Sequence, residues 1–200
     1  MTIALFQRAS GRMPRLLCGA LICALAASAD VGDNLLENPG FEAAGLLGPW
    51  KATAGGQSKW APFEPEKSPE AKEGKAALRI PAPPEGDMAI VHQPIPAKAL
   101  AHETTMRFSM WGRSDAALQL QAVISFNTPE GQRKVRVMHP GDGEWALMET
   151  LFDIPRTADL ESFNVEIIVR PGSGPVDVDE AQFWHEEVAP QYDLPENADA

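Results

Sequence analysis

Apolar and polar residues alternate in short runs along most of this chain, and turn residues separate the runs. Residues 104–114 set Met106, Phe108, Met110 and Gly112 against Arg107, Ser109, Trp111 and Arg113. Residues 117–126 repeat the pattern, with Leu118, Leu120, Ala122, Ile124 and Phe126 on one side and Gln119, Gln121, Val123 and Ser125 on the other. A period of two puts successive side chains on opposite faces, so each run predicts a strand with one face on a core. Shorter runs at 50–54, 58–63, 77–80, 88–95, 133–138, 145–155, 162–170 and 176–184 read the same way. Between them lie Gly55-Gly56, Pro83-Pro84-Glu85-Gly86-Asp87, Pro129-Glu130-Gly131, Gly141-Asp142-Gly143 and Pro171-Gly172-Ser173-Gly174-Pro175, which are turn compositions. Residues 64–75 crowd acids, prolines and lysines and read as a loop, in which Ser68-Pro69-Glu70 could cap one helical turn. There is no internal repeat and no sustained helical period. Ten or so short strands joined by turns predict an all-β sandwich of two antiparallel sheets.

The first 29 residues break the pattern. Arg8, Arg12 and Arg15 precede an uncharged run from Leu16 to Ala27, and Ala27-Ser28-Ala29 closes it. This order describes a secretory signal peptide cleaved after Ala29, and the run is shorter than the roughly 20 apolar residues of a membrane span. The expected mature domain is residues 30–185, secreted or periplasmic, followed by an aperiodic acidic tail at 186–200 expected to be disordered. Cys18 and Cys23 both fall in the leader, so the mature fold would have no disulfide and would need a full core, a metal, or both.

Charge narrows the partners. The chain carries a formal −11, and loss of the three leader arginines takes this to −14. Nucleic acid and anionic membranes are bound chiefly through Lys and Arg, so neither is an expected partner. His92, His102, His139 and His185 lack metal-ligand spacing, and the sequence has neither a nucleophile elbow nor a glycine-rich phosphate loop.

Two stretches at opposite ends of the mature region carry a resemblance. Asn34-Leu35-Leu36-Glu37-Asn38-Pro39-Gly40-Phe41-Glu42 reads as a short strand that breaks at a turn and resumes, and it resembles the opening of carbohydrate-binding modules of the galactose-binding-like jelly-roll superfamily. Val176-Asp177-Val178-Asp179-Glu180-Ala181-Gln182-Phe183 is similar to the acidic last strand of the same modules. The resemblance implies a jelly-roll fold in which the first and last strands lie together. It also implies a structural calcium ion held by Glu42 and Asp179, with Asp177 as an alternate or supporting ligand, because calcium takes six to eight oxygens. The function it implies is non-catalytic binding of a polysaccharide or cell-envelope glycan, with a separate catalytic protein as a conceivable partner. Two other readings stay open: a polysaccharide lyase or glycoside hydrolase on the same sandwich, and a protein-interaction module that has lost the sugar cleft.

Sugar recognition needs flat apolar faces for pyranose rings and polar groups for hydroxyls. Trp50 and Trp145 read as packed strand-start aromatics. Trp60 lies in a polar stretch between Gly55-Gly56 and Pro62 and is the first candidate for stacking. Trp111 and Arg113 share one strand face, Gln119 and Gln121 share a face of the next, and all four are candidates for a common cleft.

Overall fold

The computed structural model describes residues 32–56, 59–172 and 174–187. The expected leader at 1–29 and most of the expected tail lie outside them. The architecture is a sandwich of two antiparallel sheets, as the alternation predicts. The strands are β1 (Lys51–Gly56), β2 (Lys59–Pro62), β3 (Glu66–Lys67), β4 (Leu78–Ile80), β5 (Asp87–Pro94), β6 (Thr105–Arg113), β7 (Leu120–Thr128), β8 (Gly131–Met138), β9 (Trp145–Asp153), β10 (Asp159–Val169) and β11 (Val176–His185). The first sheet has the order β2-β1-β5-β10-β7-β8 and the second β3-β4-β11-β6-β9. The helical content of the described residues is a single 3-10 turn at Ala97–Ala99.

The inner faces follow the apolar half of each alternation. Met106, Phe108 and Met110 of β6, Leu120, Ala122, Ile124 and Phe126 of β7, and Phe163, Val165, Ile167 and Val169 of β10 are all buried. Phe163, Phe126, Phe152 and Phe183 form a run of stacked rings across the interior, with successive centroids 4.5, 6.2 and 6.1 Å apart. Offset stacking adds to the area these rings bury and ties the two sheets together.

Residues 34–42 and 176–183 meet as expected, but by a different device. Residues 34–42 form no strand; they are a chain of bends in which Asn38 and Phe41 take positive φ of 52° and 54°. The Asn34 side chain stands in for a strand, since its Oδ1 accepts from Phe183 N at 2.9 Å and its Nδ2 donates to Ala181 O at 3.3 Å. Leu35 N donates to Phe183 O at 2.7 Å, and Ala181 N to Pro39 O at 3.0 Å. Phe41 is thereby driven fully into the core against Trp50, 5.7 Å between centroids. The expected helical turn near Pro69 is a bend, and the stretch before it supplies the two-residue edge strand β3.

Candidate functional site

Residues directly opposite in a sheet share a face, so the pairing registers of the first sheet define its outer surface. One row runs Pro62, Thr53, Ile90, Ile168, Gln121, Met138 across all six strands. The next runs Lys51, His92, Glu166, Val123, Arg136, and the third Pro94, Asn164, Ser125, Lys134. Trp60 begins a further row opposite Gly55 and Met88.

This surface is a trough. On a flat sheet, β2 and β8 would stand roughly 24 Å apart, five strand spacings of about 4.8 Å. Yet Trp60 from β2 and Lys134 from β8 line one groove of about 320 Å³, with Thr53, Ile90, His92, Asn164 and Glu166 between them. The curl also explains why Gln121, Val123 and Ser125 are buried although they face away from the core: they form the trough floor. Within it, Glu166 Oε1 accepts from Ser125 Oγ at 2.8 Å and from Asn164 Nδ2 at 3.3 Å, and His92 Nδ1 lies 3.4 Å from Asn164 Oδ1. Trp60 is 46% exposed on a strand whose every residue is exposed, so its ring is available to a ligand and contributes little to packing.

Gly55 fixes where that ring stands. A Cβ at Gly55 would lie 1.9 Å from Lys59 O and 2.9 Å from Trp60 Cα, closer than any real contact. Gly55→Ala should therefore push β2 off β1 and weaken ligand binding in the same direction as loss of the indole. The check is a binding titration of G55A with Trp60 still present.

The structure divides the other sequence candidates. Trp111 and Arg113 are on β6, in the second sheet, so they share no groove with Trp60 or Gln121. Lys72 Nζ sits 4.3 Å from the Trp111 ring centroid. Arg113 donates to Asp177 Oδ2 through Nη2 at 2.7 Å and Nε at 3.1 Å, and it also pairs with Glu70. Gln119 precedes β7 and is buried, donating to Gly174 O at 2.7 Å and accepting from Ser114 Oγ at 3.0 Å. It ties two loops together. Gln121 is the one of these four that reaches the trough, and its Nε2 donates to Leu118 O at 3.1 Å. The common cleft expected for Trp111, Arg113, Gln119 and Gln121 is thus corrected. Strands β6 and β7 follow each other in the chain but belong to opposite sheets, and alternation cannot show that. Leu118 likewise leaves the inward set, because it precedes β7 with φ 65° and is exposed.

The acidic candidates separate as well. Asp177, with a nearly buried side chain, takes Arg79 Nε on Oδ1 at 2.8 Å and Arg79 Nη2 on Oδ2 at 3.0 Å, besides Arg113. Burial pushes its carboxyl up, but hydrogen bonds from Arg79, Arg113 and Ser68 outweigh that and hold it below the ordinary carboxylate range. Both of its oxygens are committed to guanidinium groups, so Asp177 does not fit a calcium shell. Glu42 and Asp179 are brought to one loop, residues 72–76. Asp179 Oδ2 accepts from Lys72 N at 2.9 Å and Glu73 N at 3.0 Å, while Glu42 Oε1 accepts from Lys75 N and Ala76 N. Burial raises the Asp179 carboxyl despite these amides, with Glu42 adding repulsion; Glu180 beside it is raised by burial and by Asp179 and Glu73. Asp179 Oδ1 also accepts from Glu180 N at 2.9 Å, so main-chain amides already occupy both of its oxygens. Among the described residues no group of three or more His, Cys, Asp or Glu side chains is disposed to hold a metal ion, so main-chain carbonyls and water would have to complete the shell.

No protein-family profile and no curated protein matches the sequence. Solved structures do match in fold. The CBM22-1 xylan-binding domain of Paenibacillus barcinonensis Xyn10C aligns with a TM-score of 0.58 at 16% identity, over 81% of this chain and 100% of that one. TmCBM61, solved with β-1,4-galactotriose, aligns with a TM-score of 0.52 at 18% identity, over 77% and 99%. The enzymatically active domain of bacteriophage CBA120 tailspike protein 4 aligns with a TM-score of 0.57 at 14% identity, over 76% of this chain and 21% of that one. This chain therefore has the jelly-roll fold of carbohydrate-binding modules. It spans the length of the two modules and about a fifth of the tailspike domain.

Proposed function

We propose that this protein binds a polysaccharide in the trough of its first sheet and does not cleave it. The observation that carries the reading is the groove shared by Trp60 and a convergent set of hydrogen-bonding side chains, Thr53, His92, Asn164 and Glu166. A rigid aromatic ring at one rim and fixed polar groups along the floor are what a chain of pyranose rings requires. The neighbours' xylan and galactotriose ligands support glycan as the ligand class. Glycoside hydrolysis takes a pair of carboxylates about 5–9.5 Å apart. Among the described residues lining the groove, Glu166 is the one carboxylate, which favours binding without turnover. Export through the 1–29 leader belongs to the same proposal, because polysaccharides of this kind lie outside the cytoplasm.

Affinity electrophoresis through gels holding xylan, galactan or an acidic glycan tests the reading, with a reducing-end assay alongside. Retardation without new reducing ends is the expected result. New ends that vanish in Glu166→Gln would replace binding by catalysis.

The calcium part of the proposal falls to Glu42 and Asp179, and an ion there would have to displace the amides of Lys72, Glu73 and Glu180 from the Asp179 carboxylate. There the ion would act as a clamp between the opening segment and β11, remote in role from the trough. Added calcium should raise the melting temperature by several degrees and a chelator should reverse it, since an ion that binds the folded state alone stabilises by mass action. Superimposable calorimetric traces in calcium and chelator would remove the ion from the account.

A further inference from the structure

We infer that the glycan taken by this groove is anionic, a polysaccharide carrying carboxylate or sulfate groups; the inference rests on the glycan-binding reading above. The chain as a whole is acidic, at a formal −11, yet the trough face is not. Its in-register rows carry Lys51, Lys134 and Arg136. The acids on the same face are Glu166 and, where β10 shifts register, Asp159 opposite Asn127. Those acids are engaged locally, Glu166 by Ser125 and Asn164 and Asp159 by the amide of Glu161. The bases are not: the ion pairs among the described residues use Arg79, Arg107, Arg113 and Arg156, and none of the three trough cations.

Lys134 and Arg136 stand two residues apart on one face of β8, roughly 7 Å from each other, and both are exposed. Edge strands do carry lysine to discourage pairing with other chains. That purpose would be served on either face, and it does not account for Lys134 lining the same groove as Trp60. A ring stacked on the indole at the β2 rim leaves the opposite rim to meet the sugar substituents. An ammonium and a guanidinium there match carboxylate or sulfate oxygens, the guanidinium through two parallel N–H donors.

The test uses the mature protein in titration calorimetry against polygalacturonate and alginate for carboxylate, carrageenan for sulfate, xylan and galactan as neutral glycans, and polyglutamate as an anion that is not a sugar. The expected result is at least tenfold tighter binding of one or both anionic glycan classes than of the neutral ones, weakening as salt is raised. The carboxylate and sulfate arms say which group is read. In the double variant Lys134→Ala/Arg136→Ala the preference for anionic over neutral glycans should fall by about tenfold, whereas Trp60→Ala should weaken binding of both classes and leave the preference in place. Neutral glycans bound as tightly as anionic ones, without salt dependence, would overturn the inference and leave glycan binding standing. Polyglutamate bound as tightly as the anionic glycans and indifferent to Trp60→Ala would also overturn it, as plain polyanion attraction. No binding to any glycan would take down the underlying reading itself.

Discussion

Trp60→Ala is expected to weaken glycan binding about thirtyfold while leaving the melting temperature within a degree or so of the parent. The size follows from the role: a central aromatic contact in a recognition site is typically worth 2 kcal/mol or more, and about 1.4 kcal/mol is a factor of ten. Thermal indifference follows from position, because nearly half of the side-chain surface is already in water and β2 pairs with β1 alone. Binding is read by titration and folding by calorimetry on the same sample. A variant that binds as well as the parent would strip the indole of its role. One that melts far lower would show that the ring packs against something the fold needs.

Asp177→Ala is expected to lower stability by about 2–3 kcal/mol, or roughly 4–12 °C in melting temperature for a domain of this size. Asp177 is the buried centre between Arg79 and Arg113, and its removal leaves Arg79 without its carboxylate partner and Arg113 with Glu70 alone. Breaking a buried pair costs about 3–5 kcal/mol. Here the arginine side chains keep 25% and 21% of their surface in water and can rehydrate, which trims the figure. The same carboxylate contributes to an acid limb, beside Glu42, Glu130 and Glu186, whose carboxyls are also held down by hydrogen bonds. The folded-state value of Asp177 is depressed, so its stabilisation is complete above the unfolded carboxyl value of about 3.9 and is lost as pH falls through the lower folded value. Asp179 and Glu180 act in the opposite sense. Their carboxyls are raised, the folded state holds their protons more tightly, and stability declines as pH rises through the raised values. Melting in chelator should therefore rise slightly from neutral to mildly acidic pH and then fall below about pH 4. Asp177→Ala should make the lower limb shallower and keep the upper one. An identical acid limb in that variant would show that other carboxylates set it.

How much of this is legible in the sequence depends on whether a feature is local. The strands are legible because alternation is local: β6, β7 and β10 have their inward residues where the period of two puts them. The meeting of the chain ends is legible only through the resemblance of residues 34–42 and 176–183 to the ends of a known module, since no local pattern pairs segments so far apart in the chain. Trp60 stands out because nothing near it in sequence could cover it. The distribution of strands between sheets is not local, and the misplacing of Trp111 and Arg113 traces to that, while Gln119 fails because β7 begins one residue after it. Trp111 and Gln121 lie ten residues apart in the chain and on opposite layers of the sandwich. The Arg79 partner of Asp177 is likewise set by strand order, as β4 pairs with β11 across almost a hundred residues. His92 shows only a lack of metal-ligand spacing, and Asn164 and Glu166 carry no local signal of a site, although β10 displays them in alternation with Phe163, Val165 and Ile167. That polar half looks like ordinary solvent surface until β10 is known to lie in the sheet that carries Trp60.

The two rims of the trough are β2 and β8, the outermost strands of their sheet, each bonded to a single neighbour. If the trough takes a glycan as proposed, ligand preference would be written at the margins of the sheet, where a side chain can change without a sheet partner on its outer side. Selectivity would then be open to change at positions 60, 134 and 136, all exposed, with the buried faces of both sheets left as they are.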